Sequence, residues 1–126
     1  LDLALDPGRH DTLLCPNLYG DIVSDLAAGL VGGLGLVPGA NLGEDCAVFE
    51  GVHGSAPDIA GRGTANPTAL ILAGALLLRH LNEGNAADRV EKALNLVLQE
   101  GDHLTPDLGG RSTTAAFTGA LISHLR

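Results

Sequence analysis

The sequence contains no methionine and only two cysteines, Cys15 and Cys46, among its 126 residues. A natural reading frame starts with methionine, so a chain that opens on Leu1 within an apolar pattern is predicted to be part of a larger protein, with removal of the initiator methionine as the alternative. Neither cysteine belongs to a Cys-x-x-Cys or Cys/His array, which makes a structural zinc site or a disulfide scaffold improbable. We therefore expect both thiols to be free and reduced, in a cytoplasmic protein.

Basic charge is also scarce, because 7 Lys and Arg stand against 15 Asp and Glu and leave a net charge of −8. No basic stripe is available to neutralise phosphates, so neither nucleic acid nor an anionic membrane is an expected partner. The first residues lack the basic, apolar and small-residue order of a secretion signal. The apolar stretch 68–81 is shorter than the roughly 20 residues that a membrane helix needs. The sequence thus indicates a soluble acidic protein.

Apolar periodicity predicts a chain in which strands and helices alternate, and a hydrophobic content of 45% supports a folded core. We expect buried strands over 12–16 and 46–52, and helices over about 18–31, 68–81, 85–99 and 113–125. The helix over 68–81 is apolar nearly all round and is expected to be buried. The alternation predicts an α/β layer architecture whose strands are covered on both faces.

Single residues refine the predicted boundaries. Pro67 occupies a favoured first helical position, and Gly101 is suited to end the helix over 85–99. Ser112 is expected to cap the last helix. The glycine-rich stretch 29–43 predicts loops or very short strands.

Several familiar catalytic patterns are absent. Gly33-x-Gly35 resembles the start of a dinucleotide fingerprint, but Pro38 stands at the position of the third glycine, so we reject it. No P-loop, nucleophile elbow or His-Glu-x-x-His motif occurs. Four of the histidines fit ordinary surface or helix-end positions: His10, His80, His103 and His124.

Asp21 and Asp25 lie four residues apart on a predicted helix, which places their carboxylates one turn apart. Magnesium and manganese prefer oxygen ligands, and magnesium usually takes only one or two carboxylates from the protein. The pair is therefore a candidate metal site. The alternative is that Asp21 favours the helix N-terminus electrostatically and Asp25 is merely exposed, and spacing alone does not decide between them.

The loop His53-Gly-Ser-Ala-Pro-Asp-Ile-Ala-Gly61 joins a predicted strand to a predicted helix through small residues, which let a ligand approach the backbone. A carboxylate there, Asp58, can accept hydrogen bonds from both ribose hydroxyls and repel a 2′-phosphate, the physical basis of a preference for NAD. The equal alternative is a surface loop in which His53 caps a helix.

Three stretches together resemble the isocitrate/isopropylmalate dehydrogenase family: NLYGDIVSDLAAGLVGGLGLVPGANLG (17–43), FEGVHGSAPDIAGRGTANPTA (49–69) and TPDLGGRSTTAAFT (105–118). The first is similar to the NAD-dependent isocitrate and homoisocitrate branch. RVEKALNLVLQEG, followed by TPDLGG, is similar to bacterial homoisocitrate dehydrogenases. The resemblance implies the C-terminal part of that α/β fold, a mixed sheet flanked by helices. Residues 1–32 would end a small dimer-forming domain, and 33–126 would belong to the large cofactor-binding domain.

The resemblance also implies roles for particular residues. Asp21 and Asp25 correspond to ligands of a magnesium or manganese ion that chelates the substrate. The cofactor loop and an adenine-contacting asparagine correspond to His53, Gly54, Ser55, Ala56, Pro57, Asp58, Ile59 and Asn66. NADP-specific members often carry Lys-Tyr where this chain has Asp58-Ile59, so NAD is implied. The family's catalytic tyrosine and lysine lie upstream, and no catalytic residue is assigned here.

The implied reaction is the NAD-dependent oxidation and decarboxylation of a hydroxy-tricarboxylate, isocitrate or homoisocitrate, by a homodimer or larger homo-oligomer. The 126 residues alone are predicted to be inactive, because the substrate arginines and a third metal aspartate also lie upstream in the family. Two alternatives stay open: a non-catalytic regulatory or structural subunit, and an isopropylmalate dehydrogenase.

Overall fold

The structure, a computed structural model, describes residues 2–126, and Leu1 lies outside the described residues. The helices and strands in chain order are α1 (Asp2–Leu5), α2 (Asn17–Leu30), β1 (Pro38–Leu42), β2 (Ala47–Gly51), α3 (Thr68–His80), α4 (Gly84–Glu100) and α5 (Thr114–His124). Short 3₁₀ turns lie at Pro7–Arg9, Leu34–Leu36 and Pro106–Leu108.

The hydrophobic core lies between the three C-terminal helices. Leu94 and Val97 of α4 contact Phe117 and Leu121 of α5, and each of these side chains is at most 5% exposed. Ile71 of α3 packs against the same cluster. Burying an apolar side chain of this size stabilises the fold by about 1.5–3 kcal/mol. The core therefore fixes α5 relative to α3 and α4.

The strands β1 and β2 form an antiparallel pair in which Ala40 lies opposite Phe49. Along β2, Ala47, Phe49 and Gly51 are half-buried while the residues between them are exposed. The sheet packs on α3, and the Phe49 ring lies 5.5 Å from the His80 ring at the end of that helix. The α/β class is confirmed. The expectation that both faces of each strand are covered is wrong for residues 2–126, because α3 packs on the sheet while Val48 and Glu50 of β2 stay exposed.

The four predicted long helices are confirmed, with each end shifted by at most one residue. Gly101 ends α4 in the left-handed conformation, with φ of 75°, as predicted. Pro67 lies one position earlier than predicted, since it precedes the first helical residue, Thr68. The glycine-rich stretch contains the short strand β1 and the turn before it.

Three expectations about local structure are wrong. Residues 12–16 form no strand, and Leu14 is 99% exposed, because no neighbouring strand in the described chain offers hydrogen bonds. The cap of α5 is Thr113 rather than Ser112, since the Thr113 side chain accepts a hydrogen bond from the backbone N–H of Ala116 at 3.1 Å. The helix α3 is not buried all round, because Leu70 on its outer side is exposed.

The helix α2 has the predicted spacing of apolar residues, but most of its surface is open. Leu18, Ile22, Leu26 and Leu30 are each between 57% and 66% exposed. Its contacts with the rest of the described chain run chiefly through the turn Leu34–Leu36. No helix within residues 2–126 combines the length and the apolar character of a membrane span.

Candidate nucleotide-binding site

A cavity of about 550 Å³ lies between the loop that follows β2 and the turn Pro106–Leu108. Its volume is within the usual range for small-molecule and cofactor pockets. The lining residues are Gly35, His53, Gly54, Ala56, Ile59, Thr64, Ala65, Asn66, Pro106 and Asp107. A second hollow on the same loop shares several of these and adds Ser55. The predicted cofactor loop therefore forms a concave surface together with residues that are distant in sequence.

The loop has a defined backbone shape. Ala56 has a φ of 40°, a left-handed conformation that is uncommon for a residue other than glycine. The N–H of Ile59 donates to the carbonyl of Ala56 at 3.1 Å and closes a turn around Pro57. Strained backbone of this kind clusters at ligand-binding sites because the surrounding structure must hold it. The loop thus presents Ala56 and Ile59 to the cavity in a fixed arrangement.

Asn66 lies where the loop meets α3, and both ends of its side-chain amide are engaged. Its Oδ1 accepts a hydrogen bond from the N–H of Thr68 at 2.9 Å, which satisfies one free donor at the start of the helix. Its Nδ2 donates to Oδ2 of Asp107 at 2.8 Å. His53 instead has Nδ1 3.1 Å from the carbonyl of Gly54. The side chain that satisfies a donor at the start of the helix is therefore that of Asn66, not that of His53.

Not every predicted cofactor residue lines a cavity. His53, Gly54, Ala56, Ile59 and Asn66 line the first one, and Ser55 lines only the second. Pro57 and Asp58 line neither, and Asp58 is exposed. The role of Asp58 toward a ribose stays a prediction.

Five of the lining residues were not among the predicted cofactor residues: Gly35, Thr64, Ala65, Pro106 and Asp107. A signal was present for two of them, because Pro106 and Asp107 belong to the TPDLGG stretch, which carries part of the family resemblance but was assigned no role in the pocket. Gly35 is close to the Asn66–Asp107 pair, since a Cβ placed on it would lie 3.5 Å from Oδ2 of Asp107. The pocket depends on these tertiary neighbours as much as on the loop.

Asp21 and Asp25 lie one turn apart on α2, and both are exposed. Ser24 Oγ donates to the backbone carbonyl of Asp21 at 3.0 Å, so this hydrogen bond does not occupy the carboxylate of Asp21. Within the described part of the chain, no third His, Cys, Asp or Glu lies near enough to complete a group of three metal ligands. A pair of free carboxylates fits the donor chemistry of magnesium or manganese, which complete their coordination with water and substrate.

One ion-pair network joins α3 to α4. The Arg79 guanidinium lies 2.8 Å from Glu91 and 2.7 Å from Asp88. Hydrogen bonds to Glu91, and then to Asp88, raise the pKa of Arg79 above its ordinary value. Arg79 therefore stays charged and connects two helices that support the site, without lining either cavity of the loop.

Comparison with known proteins decides the family. A sequence profile described as isocitrate/isopropylmalate dehydrogenase matches residues 1–122. The chain belongs to this family. An isocitrate/homoisocitrate dehydrogenase of Thermus thermophilus is 60% identical over the whole chain, which covers 37% of that relative. A regulatory subunit of the mitochondrial NAD isocitrate dehydrogenase of Dictyostelium discoideum is 52% identical over 99% of the chain, which covers 36% of it.

A solved structure agrees with these relatives. The crystal structure of isocitrate dehydrogenase from Methylococcus capsulatus superposes with a TM-score of 0.90 at 51% identity, over 99% of this chain and 38% of that one. The resemblance to this dehydrogenase family and its fold, inferred from three sequence stretches, is confirmed. The chain spans little more than a third of the length of the proteins it matches.

Proposed function

We propose that this chain forms the cofactor-binding part of an NAD-dependent dehydrogenase that oxidises and decarboxylates isocitrate or homoisocitrate. The observation that carries the proposal is the cavity lined in part by His53, Gly54, Ala56, Ile59 and Asn66, which the family resemblance associates with the cofactor. Membership of the dehydrogenase family supplies the reaction class. The activity is proposed for a longer protein that contains these residues, because the relatives are nearly three times as long.

The chemistry of the cavity supports a nucleotide. Gly54, Ala56 and Ala65 are small enough to let the flat face of a base approach the backbone, and Ile59 adds apolar contact area. The proposal assigns Asp58 to the ribose hydroxyls, where a carboxylate accepts two hydrogen bonds and repels a phosphate. Relatives named as NAD isocitrate dehydrogenases support NAD as the cofactor.

The proposal further assigns Asp21 and Asp25 to a magnesium or manganese ion. When bound, such an ion polarises the substrate's hydroxyl oxygen and stabilises negative charge that develops on it. The two aspartates contribute free, exposed carboxylates one helical turn apart, and α2 keeps that spacing rigid. No catalytic acid or base is assigned to this chain.

The same proposal divides the chain near residue 32, with residues 1–32 ending a small domain and 33–126 in the large domain. The limited contact of α2 with the rest of the structure supports this division. The exposed apolar stripe on α2, formed by Leu18, Ile22, Leu26 and Leu30, supports assembly as a homodimer or larger homo-oligomer.

Cys15 and Cys46 form no disulfide, which supports a reducing compartment such as the cytoplasm.

The test is NADH formation by the full-length protein with manganese and, in separate assays, isocitrate, homoisocitrate and isopropylmalate. Turnover of either of the first two acids supports the proposal and names the substrate. Turnover of isopropylmalate alone would identify isopropylmalate as the substrate instead. Turnover of none of the three acids would overturn the proposed reaction. The isolated 126 residues are expected to produce no NADH.

A regulatory or structural subunit is the second candidate, and the regulatory subunit from Dictyostelium discoideum favours it. Retention of both Asp21 and Asp25 favours the catalytic alternative, because a subunit that binds no metal has no need of the pair. Calorimetry on the full-length protein distinguishes the two candidates. A catalytic chain is expected to bind substrate more tightly with manganese, whereas a structural subunit shows no manganese-dependent substrate binding.

A further inference from the structure

We infer that Asp107 is a positioning residue of the nucleotide pocket, which holds the Asn66 side chain and so sets the pocket wall against which an adenine ring lies. The inference rests on the proposed function, since it concerns the same pocket. Asp107 lies 41 positions after Asn66, and both line the cavity. It needs no contact between Asp107 and the nucleotide itself.

The orientation of the Asn66 amide follows from its two partners. The Thr68 N–H is a donor only and a carboxylate is an acceptor only, so Oδ1 must face Thr68 and Nδ2 must face Asp107. Both polar ends of the side chain are thereby engaged by other residues of the chain. The backbone N–H and C=O of Asn66 have no hydrogen-bond partner within residues 2–126, so they are free for a ligand. A base that carries a donor beside an acceptor, as adenine does, matches this pair.

Asp107 is itself held in place by a closed turn. The N–H groups of Leu108 and Gly110 both donate to the carbonyl of Thr105 at 3.0 Å, and Thr105 is fully buried. Gly109 has a φ of 81°, which favours glycine. A Cβ on Gly110 would lie closer to the Leu104 carbonyl than any side chain tolerates. The turn therefore has one available shape, and it points the carboxylate of Asp107 at Asn66.

Without this carboxylate the side-chain amide of Asn66 can rotate, so the pocket wall that Asn66 forms is no longer held in one position. We expect Asp107→Ala in the full-length protein to weaken the binding of ADP-ribose about tenfold, the change typical of a lost hydrogen bond to a charged group. Asp107→Asn keeps one acceptor oxygen and is expected to retain most of the affinity. The matched control is Asp102→Ala, because Asp102 is an exposed acid in the same loop that lines neither cavity of the pocket.

A reciprocal exchange tests the pairing directly. Asn66→Asp places a second carboxylate against Asp107, so binding of ADP-ribose should fall by more than about tenfold. Adding Asp107→Asn to that variant reverses donor and acceptor and restores the hydrogen bond, because the new amide at position 107 donates to the new carboxylate at position 66. We expect the double variant to recover to within about threefold of the unsubstituted protein. Recovery of this kind requires the two side chains to act as a pair.

Steady-state kinetics separates positioning from general damage. In Asp107→Ala we expect a higher KM for NAD, with kcat and the KM for the hydroxy acid unchanged within about twofold. The role of Asp107 is overturned if ADP-ribose binds this variant as tightly as the unsubstituted protein, or if the double variant recovers no affinity. An unsubstituted protein that binds no ADP-ribose would overturn the proposed cofactor as well. One that binds it but oxidises none of the three acids would overturn the reaction and leave the role of Asp107 intact.

Discussion

Thr114 and Ala65 connect the last helix to the pocket loop, because Oγ1 of Thr114 donates a hydrogen bond to the backbone carbonyl of Ala65 at 2.5 Å. The N–H of Thr114 makes a second bond, to the carbonyl of Gly63 at 2.8 Å. Thr114 is the first residue of α5, and Phe117 in the next turn is fully buried in the core. Because α5 is fixed in the core, the hydrogen bonds of Thr114 also hold Ala65, which lines the cavity, in place.

The link from Thr114 to the loop leads to the first prediction. Thr114→Val keeps the shape and the N–H of the residue but removes the hydroxyl donor, so Ala65 loses one constraint. We expect faster amide hydrogen exchange over residues 61–66 and NAD binding weakened by about three- to tenfold in the full-length protein. The measurements are exchange detected by mass spectrometry and calorimetric titration with NAD.

The control for this variant is Thr118→Val, one turn further along α5. Thr118 Oγ1 donates to the carbonyl of Thr114, so its hydrogen bond stays within the same helix. The same chemical change there should leave exchange over 61–66 as it is. Equal exchange in both variants would contradict the role of the Thr114 hydroxyl.

The helices were predictable from the sequence because their signal is local. Along α4, buried Leu94 and Val97 alternate with exposed charged residues at helical spacing, and Gly101 supplies the left-handed end. The prediction of a strand over 12–16 was wrong, because a short apolar run resembles a strand whether or not a partner strand lies beside it. Strand formation depends on neighbours that the local sequence does not specify.

The pocket residues likewise fall into those that could be predicted from the sequence and those that could not. The contiguous residues of the loop, such as His53 and Ala56, were predictable as a group because one motif contains them. The pairing of Asn66 with Asp107 was not, because it spans 41 positions and depends on how the turn Pro106–Leu108 packs beside α3. The cap of α5 could not be predicted from the sequence either, because Ser112 and Thr113 are adjacent and chemically alike. Only the backbone conformation selects Thr113.

The second prediction concerns cofactor choice. Exchanging Asp58 for Lys and Ile59 for Tyr in the full-length protein replaces a carboxylate that repels a 2′-phosphate with a cation that attracts it. We expect the ratio of kcat/KM for NAD to that for NADP to fall by at least about tenfold. Glu44→Lys, in the exposed turn between β1 and β2, makes a similar charge change away from the loop and serves as the control. An unchanged ratio would remove Asp58 from the proposed site.

The third prediction concerns the metal. Asp21→Asn and Asp25→Asn each remove one charged ligand while keeping the size of the side chain, so each should weaken manganese binding about tenfold or more. The free manganese signal in electron paramagnetic resonance measures this without any turnover. Asp45→Asn, an exposed aspartate between the strands, should leave affinity unchanged. Manganese affinity that survives both substitutions would rule out α2 as the metal site.

The fourth prediction compares two adjacent residues at the start of α5. Thr113→Ala removes the side-chain oxygen that accepts from the N–H of Ala116, leaving that donor without its partner. We expect a loss of about 1 kcal/mol in the free energy of unfolding, the usual cost of losing such a cap. Ser112→Ala changes a half-buried neighbour whose side chain makes no capping hydrogen bond, so it should cost less than about 0.5 kcal/mol. Urea unfolding of both variants in the full-length protein measures the difference. If Ser112→Ala proves the more destabilising of the two, Thr113 is not the cap of α5.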